Sequence, residues 1–195
     1  MFSLVYPSEP APITGRRLSS RDELLPIVEP SGLVTGIAPR SLCHGGSMLL
    51  HPVVNLHIID RSERILLQKR SASKKTWPLC WDTAVGGHIG YGEQPEEALV
   101  REAEEELGLH DFNPIFLGTH EYQNQREHEL VALYAAIVPE LPEYYGAEVA
   151  EVRWWTYGEI AKAPKEDFTP AFLEEFGRIS QQLLSLLCHI YRCAI

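Results

Sequence analysis

The stretch that decides the fold runs from Gly87 to Leu109, GHIGYGEQPEEALVREAEEELGL. Pro95 to Leu107 is dense in Glu and Ala and is closed by Gly108, the expected C-terminal stop of a helix. On that helix Glu102, Glu105 and Glu106 stand at i, i+3 and i+4, so the three carboxylates project from one face. Leu99, Ala103 and Leu107 fall on the adjoining face and can anchor the helix to a sheet. An arbitrary run of Glu reads as an acidic, solvated helix face. Carboxylates this crowded repel one another, however, and become favourable when a hard cation such as Mg²⁺ or Mn²⁺ takes oxygen ligands from them.

On the N-terminal side, His51 to Ile59 and Arg64 to Gln68 are β-branched or apolar runs separated by Asp60-Arg61-Ser62-Glu63, which predicts a hairpin. The densest basic stretch, Lys69, Arg70, Lys74 and Lys75, leaves from its end and leads through a Trp-rich and Gly-rich loop into the decisive segment. An earlier hairpin is expected from Leu24–Val28 and Leu33–Ile37 around the turn Glu29-Pro30-Ser31-Gly32. Pro7 to Arg21 mix Pro, Ser, Gly and Arg without period and read as a flexible or loosely docked arm, which sets residues 1–21 apart from 22–195 as one domain.

On the C-terminal side, Ile115–His120, Leu130–Val138 and Val149–Trp155 read as strands, with Pro139 and Pro142 breaking the chain between the last two. Thr156 can cap a short helix. Ala171 to Tyr191 carries Phe172, Phe176, Ile179, Leu183, Leu186 and Ile190 at three- and four-residue intervals. That amphipathic stripe is expected to face the core, with a homodimer as its alternative use.

At 195 residues and 45% hydrophobic content the chain can bury one good core, which favours a single α/β domain. A formal net charge of -10 argues against tracking a nucleic-acid backbone, so any phosphate must be met by local cations or metal. Cys43, Cys80, Cys188 and Cys193 form no CxxC pair and follow no signal peptide, which predicts a reducing cytoplasm. No stretch approaches the ~20 apolar residues that span a bilayer.

The decisive segment matches the Nudix signature GX5EX7REUXEEXGU at every specified position, and the chain is therefore identified as resembling the Nudix hydrolases. The resemblance implies an α/β/α sandwich with a mixed sheet, and a box loop and helix that form the catalytic site. It assigns Glu102, Glu105 and Glu106 to divalent metal, Mg²⁺ or Mn²⁺, with Arg101 restraining one glutamate by ion pairing. Gly87 and Glu93 are further candidate metal positions, Glu93 alternatively a structural one.

From Asp22 to Phe176 the chain also resembles the isopentenyl-diphosphate isomerases, a Nudix-fold branch, in the runs QKRSASKKTWPLCWDTAVGGH and EDFTPAF. That likeness implies a second metal site, for Mn²⁺ or Zn²⁺, built from His44, His51, His88, Glu127 and Glu129. The departure lies at Gly86, where the isomerases need a cysteine before the Gly-His pair. Cys80, six residues earlier, cannot be assumed to substitute for it.

The expected function is hydrolysis of a diphosphate linkage in a small molecule by attack of activated water at phosphorus. Glu102 and Glu129 both qualify as general base by family analogy. Arg70, Lys74 and Lys75 are expected to grip distal phosphate oxygens, and Trp81, with Trp77 and Tyr91, to stack on a base or prenyl-like group. An isomerase and a catalytically silent ligand-binding domain are the alternatives. Gly86 argues against the first and the complete carboxylate set against the second.

Overall fold

A computed structural model describes residues 2–8, 22–138, 140 and 145–193, with side chains as far as residue 186. Residues 9–21 of the expected arm, the breaks at Pro139 and Pro142, and the side chains of Cys188, Ile190 and Cys193 lie outside the described residues.

In chain order the elements are β1 (Leu24–Val28), β2 (Val34–Pro39), α1 (Arg40–Cys43), β3 (Leu50–Ile59), β4 (Arg64–Arg70), β5 (Trp81–Thr83), β6 (Val85–His88) and α2 (Pro95–Leu107). There follow β7 (Ile115–Gln123), β8 (His128–Ile137), β9 (Val149–Thr156), α3 (Tyr157–Lys162) and α4 (Pro170–Cys193). A two-stranded sheet holds β1 and β2, and a seven-stranded sheet runs β5-β4-β3-β8-β7, with β6 pairing β3 and β9 pairing β4. Two short strands, β5 and β6, occupy the segment expected as a Trp-rich and Gly-rich loop. Three or four residues are too few to show an alternating pattern.

The described chain divides into two compact units, whose boundary cuts through β3, β6, α2, β7 and β8. The first comprises residues 1–55, 86–101 and 118–133. Here β1 and β2 pair antiparallel in the register Leu25↔Ala38 and Ile27↔Gly36. Leu25, Ile27, Ala38 and Cys43 form a small core beneath Leu42 and Leu49. The hairpin turn needs Gly32, whose φ of 86° is the left-handed region and whose Cβ would lie 2.9 Å from the Phe2 ring and the Ser3 carbonyl. Residues 2–8, the start of the expected arm, are docked there: Leu4 is buried and Val5 bridges Leu33 in parallel.

The second unit comprises residues 56–85, 102–117 and 134–195. Its centre is β4, flanked antiparallel by β9 in the register Ile65↔Trp155 to Lys69↔Glu151 and by β5 at Gln68↔Asp82. Ile65, Leu66 and Leu67 are buried on both faces, as befits a strand with partners on either side. Thr156 caps α3 with a reciprocal capping box to Glu159. Phe172, Ile179 and Leu183 of α4 are buried, the core use expected of its stripe. Among the described residues no helix is long and apolar enough to cross a membrane.

Candidate functional site

In the first unit, four segments bring His44, His51, His88 and Glu129 together, one potential ligand atom from each lying within 4.8 Å of all the others. Each position follows from its element. His44 is the C-cap that follows α1, His51 is the second residue of β3, His88 the last of β6 and Glu129 the second of β8. His44 Nε2 faces His88 Nε2 at 2.8 Å, and His51 Nε2 lies 3.9 Å from Glu129 Oε1. The His51 and His88 rings stack with centroids 5.6 Å apart.

His51 is fully buried, its Nδ1 donates to the Leu49 carbonyl at 2.9 Å, and its Nε2 has no hydrogen-bond partner. Burial pushes its pKa down to about 4, so at neutral pH Nε2 offers a lone pair, the state that ligates metal. A lone pair buried without a donor is costly unless a cation takes it. A shell with bonds of ~2.1 Å spans ~4.2 Å, so a small contraction of the quartet would suit a transition-metal ion. The donor set therefore fits such an ion.

Glu127 stands outside this quartet. Its carboxylate bonds His44 on Nδ1, the side of the ring away from Nε2, and Asn124 Nδ2 donates to its other oxygen at 2.7 Å. The hydrogen bond from His44 is the largest influence holding the Glu127 carboxyl below its usual range. A carboxylate on the rear nitrogen fixes the tautomer that leaves Nε2 free to ligate. Asn124, to which the sequence assigns no role, belongs to this arrangement through that hydrogen bond. His128 points away, its Nε2 at 2.8 Å from Glu121 Oε2, as strand alternation requires.

The box loop of the same unit carries Gly87 in β6 and then Glu93. Arg101 clamps Glu93 through both oxygens, Nε to Oε1 at 2.8 Å and a terminal nitrogen to Oε2 at 2.9 Å. Glu93 also accepts from the Gly90 N–H at 2.8 Å, and Arg101 donates to the His88 carbonyl at 2.9 Å. Of its two expected roles, Glu93 thus has the partners of the structural one.

In the second unit, Glu106 is buried and accepts from Gln68 Nε2 at 3.0 Å, Glu102 is half-buried and Glu105 exposed. Gln68 was not foreseen. Its signal is an uncharged amide in the apolar run Ile65–Leu67, where a buried polar group must find a partner.

Arg70 shares Gln68's face of β4 and is held by Asp82 Oδ2 at 3.0 Å and the Thr76 carbonyl at 3.3 Å. Lys74 pairs with Glu148, and Lys75 is exposed. Trp81 does not join them. Paired with Lys69, it lies on the face opposite Gln68, 7% exposed and edge-to-face on Trp155 at 5.2 Å. Lys69 and Arg153 lie over its ring, each 5.5 Å from the centroid. Between stacking on a ligand and packing, the two uses a loop aromatic can have, Trp81 has the contacts of packing, whereas Trp77 and Tyr91 are exposed.

The thiols of both described cysteines are shifted upward. Cys43 is buried in the hairpin core and its thiol is pushed up to about 11 by that burial. Cys80 donates to the Glu166 carbonyl at 3.6 Å, and burial raises its thiol as well.

A NUDIX-domain family profile matches residues 49–176. Curated relatives include an isopentenyl-diphosphate Delta-isomerase of Agromyces mediolanus, 32% identical over 164 residues that cover 80% of this chain and 78% of that one. Another is an uncharacterised Nudix hydrolase of Nostoc, 31% identical over 156 residues, 72% of this chain and 90% of the other. A solved structure from Deinococcus radiodurans superposes with a TM-score of 0.62 at 24% identity, covering 71% of this chain and 86% of that one. The NUDIX domain of Shewanella oneidensis NrtR, complexed with ADP ribose, gives 0.57 at 18% identity over 68% and 87%.

Proposed function

Because this chain belongs to the Nudix superfamily, in its isopentenyl-diphosphate isomerase-like branch, and has that family's α/β fold with a mixed sheet, we propose that it hydrolyses a small organic diphosphate. The observation that carries this reading is the complete box carboxylate set, Glu102, Glu105 and Glu106, beside a glycine at position 86. Nucleoside diphosphate derivatives are the first substrate class to try, since the Shewanella domain is complexed with ADP ribose.

Glu102, Glu105 and Glu106 would hold Mg²⁺ or Mn²⁺, and His44, His51, His88 and Glu129 a second ion, Mn²⁺ or Zn²⁺ in preference to Mg²⁺ because imidazoles dominate the set. Divalent cations at these positions supply charge neutralisation of the diphosphate and an activated water. Gln68 orients Glu106, and Glu127 orients His44. Lys75 meets the distal phosphate oxygens first, with Arg70 already aligned by Asp82 and Thr76. Glu102 or Glu129 takes the proton released as the nucleophile attacks phosphorus in line.

A screen of nucleoside diphosphate derivatives, dinucleotides and prenyl diphosphates with Mg²⁺ and Mn²⁺, repeated with Glu105→Gln, tests the reading. The variant is expected to fold and to lose ~10²-fold or more in turnover. Unchanged turnover on a substrate that the wild type cleaves would overturn the assignment.

Isomerase is the second reading, favoured by the converged quartet together with the curated relative of that name. It predicts enzyme-dependent deuterium incorporation at the allylic carbon of isopentenyl diphosphate. The hydrolase reading predicts none.

A further inference from the structure

The first unit holds a continuous set of contacts from the N-terminal segment to His88. Val5 N–H donates to the Gly32 carbonyl at 3.0 Å and its own carbonyl accepts from Val34 N–H at 2.9 Å, so this segment lies along the β1–β2 hairpin as a strap. From that position it grips the box loop on both sides of Glu93. Leu4 N–H donates to Gln94 Oε1 at 3.0 Å and Gln94 Nε2 donates to the Leu4 carbonyl at 3.1 Å, so one side-chain amide stands in for a strand partner. Tyr6 OH donates to the Glu93 carbonyl at 3.0 Å and accepts from the Gly92 N–H at 3.2 Å. Its ring meets that of Tyr91 edge-on, with centroids 5.5 Å apart.

Elsewhere the loop is tied by Ile89 N–H to the Pro52 carbonyl at 3.2 Å and by Tyr91 N–H to the Leu24 carbonyl at 3.0 Å, and the strap adds the grip on Gly92–Gln94. Gly92 sits at φ 93° with open space where a Cβ would be, and Tyr91 is exposed. Yet it presents Glu93, whose carboxylate fixes the Arg101 guanidinium, and one Arg101 terminal nitrogen donates both to Glu93 and to the carbonyl of His88. His88 Nε2 is the atom that faces His44 Nε2.

We infer that the strap formed by Leu4–Tyr6 is a positioning element of the metal site, with Tyr6 and Gln94 the residues through which it fixes the loop that sets His88. The loop Ile89–Gln94 spans two glycines, whose backbone freedom is costly to fix, and the strap supplies four hydrogen bonds to it, two through the Gln94 amide and two through the Tyr6 hydroxyl. Backbone and outer partners that fix a ligand's orientation change metal affinity about 10- to 100-fold when removed. The inference rests on the reading above that the His44, His51, His88 and Glu129 quartet holds a divalent ion.

The test is titration of the full chain with Mn²⁺, free ion being read by electron paramagnetic resonance, for wild type, Tyr6→Phe, Gln94→Met and His51→Ala. Tyr6→Phe and Gln94→Met keep side-chain volume and remove only the hydrogen bonds, and urea unfolding of each reports stability separately. His51→Ala is expected to lose one Mn²⁺ equivalent, and the two strap variants to bind that equivalent about 10-fold more weakly while retaining the fold. Should His51→Ala lose the equivalent and both strap variants bind it as wild type does, the strap is only a stabilising contact and the inference fails alone. Should His51→Ala bind as wild type, the metal reading fails and the inference with it.

Discussion

Gln68 shows how a single residue can link fold to chemistry. It occupies a central position of β4, is 5% exposed, and spends its amide on Glu106 Oε2 at 3.0 Å. Replacing it by Leu leaves volume nearly unchanged but removes the donor from a buried carboxylate. We expect Gln68→Leu to retain the fold and to lower kcat/KM about 10-fold, checked by steady-state kinetics at saturating Mg²⁺. Asp60 is a second such residue, with a purely structural role. Burial pushes its carboxyl up, but the Arg64 and Ser62 N–H groups at 2.9 and 2.8 Å and the Arg64 guanidinium outweigh that, and the net shift is downward. A depressed folded pKa stabilises above the unfolded value of ~3.9 and is lost as pH falls through the folded value. Asp60→Asn should therefore cost about 1.5 kcal/mol in urea unfolding at pH 7, and progressively less as pH falls below ~4.

Elements are tied to one another by pairs that no local pattern announces. His57 of β3 and Glu175 of α4 are both fully buried, 3.1 Å apart, and His57 Nδ1 meets Thr83 Oγ1 of β5 at 3.2 Å. Breaking a buried pair by removing one partner strands the other, so Glu175→Ala should destabilise by about 3–5 kcal/mol. The double variant His57→Leu with Glu175→Met should recover most of that loss in thermal unfolding, because the charge and its partner leave together. Thr156→Ala should cost about 1 kcal/mol by the same measurement, through loss of the α3 capping box. Of these contacts only the Thr156 cap was legible in sequence, since a cap is read from adjacent residues. The His57–Glu175 pair joins positions 118 apart in the chain.

The same distinction governs how much of the whole molecule the sequence discloses. β1 and α2 match their expected bounds, because a turn signal or a glycine stop marks each end locally. The box is legible because its carboxylates lie on one helix. Convergence of His44, His51, His88 and Glu129 was expected only from resemblance; spacing alone gives no reason for four segments to meet. Stacking and packing stay open for Trp81 in the sequence because a loop assignment gives no parity, whereas pairing with Lys69 turns it away from Gln68. Tyr6 was hidden because the strap's partners lie beyond position 30, in the hairpin and the box loop.

Hydrolysis is separated from isomerisation by ³¹P and ¹H NMR of wild-type protein with Mg²⁺ in deuterated water on ADP ribose, dinucleotides and isopentenyl diphosphate. Hydrolysis predicts loss of the diphosphate resonances and growth of monophosphate resonances in at least one compound, with the allylic protons of isopentenyl diphosphate unexchanged. Intact diphosphate in every compound, together with deuterium entering isopentenyl diphosphate, would contradict it.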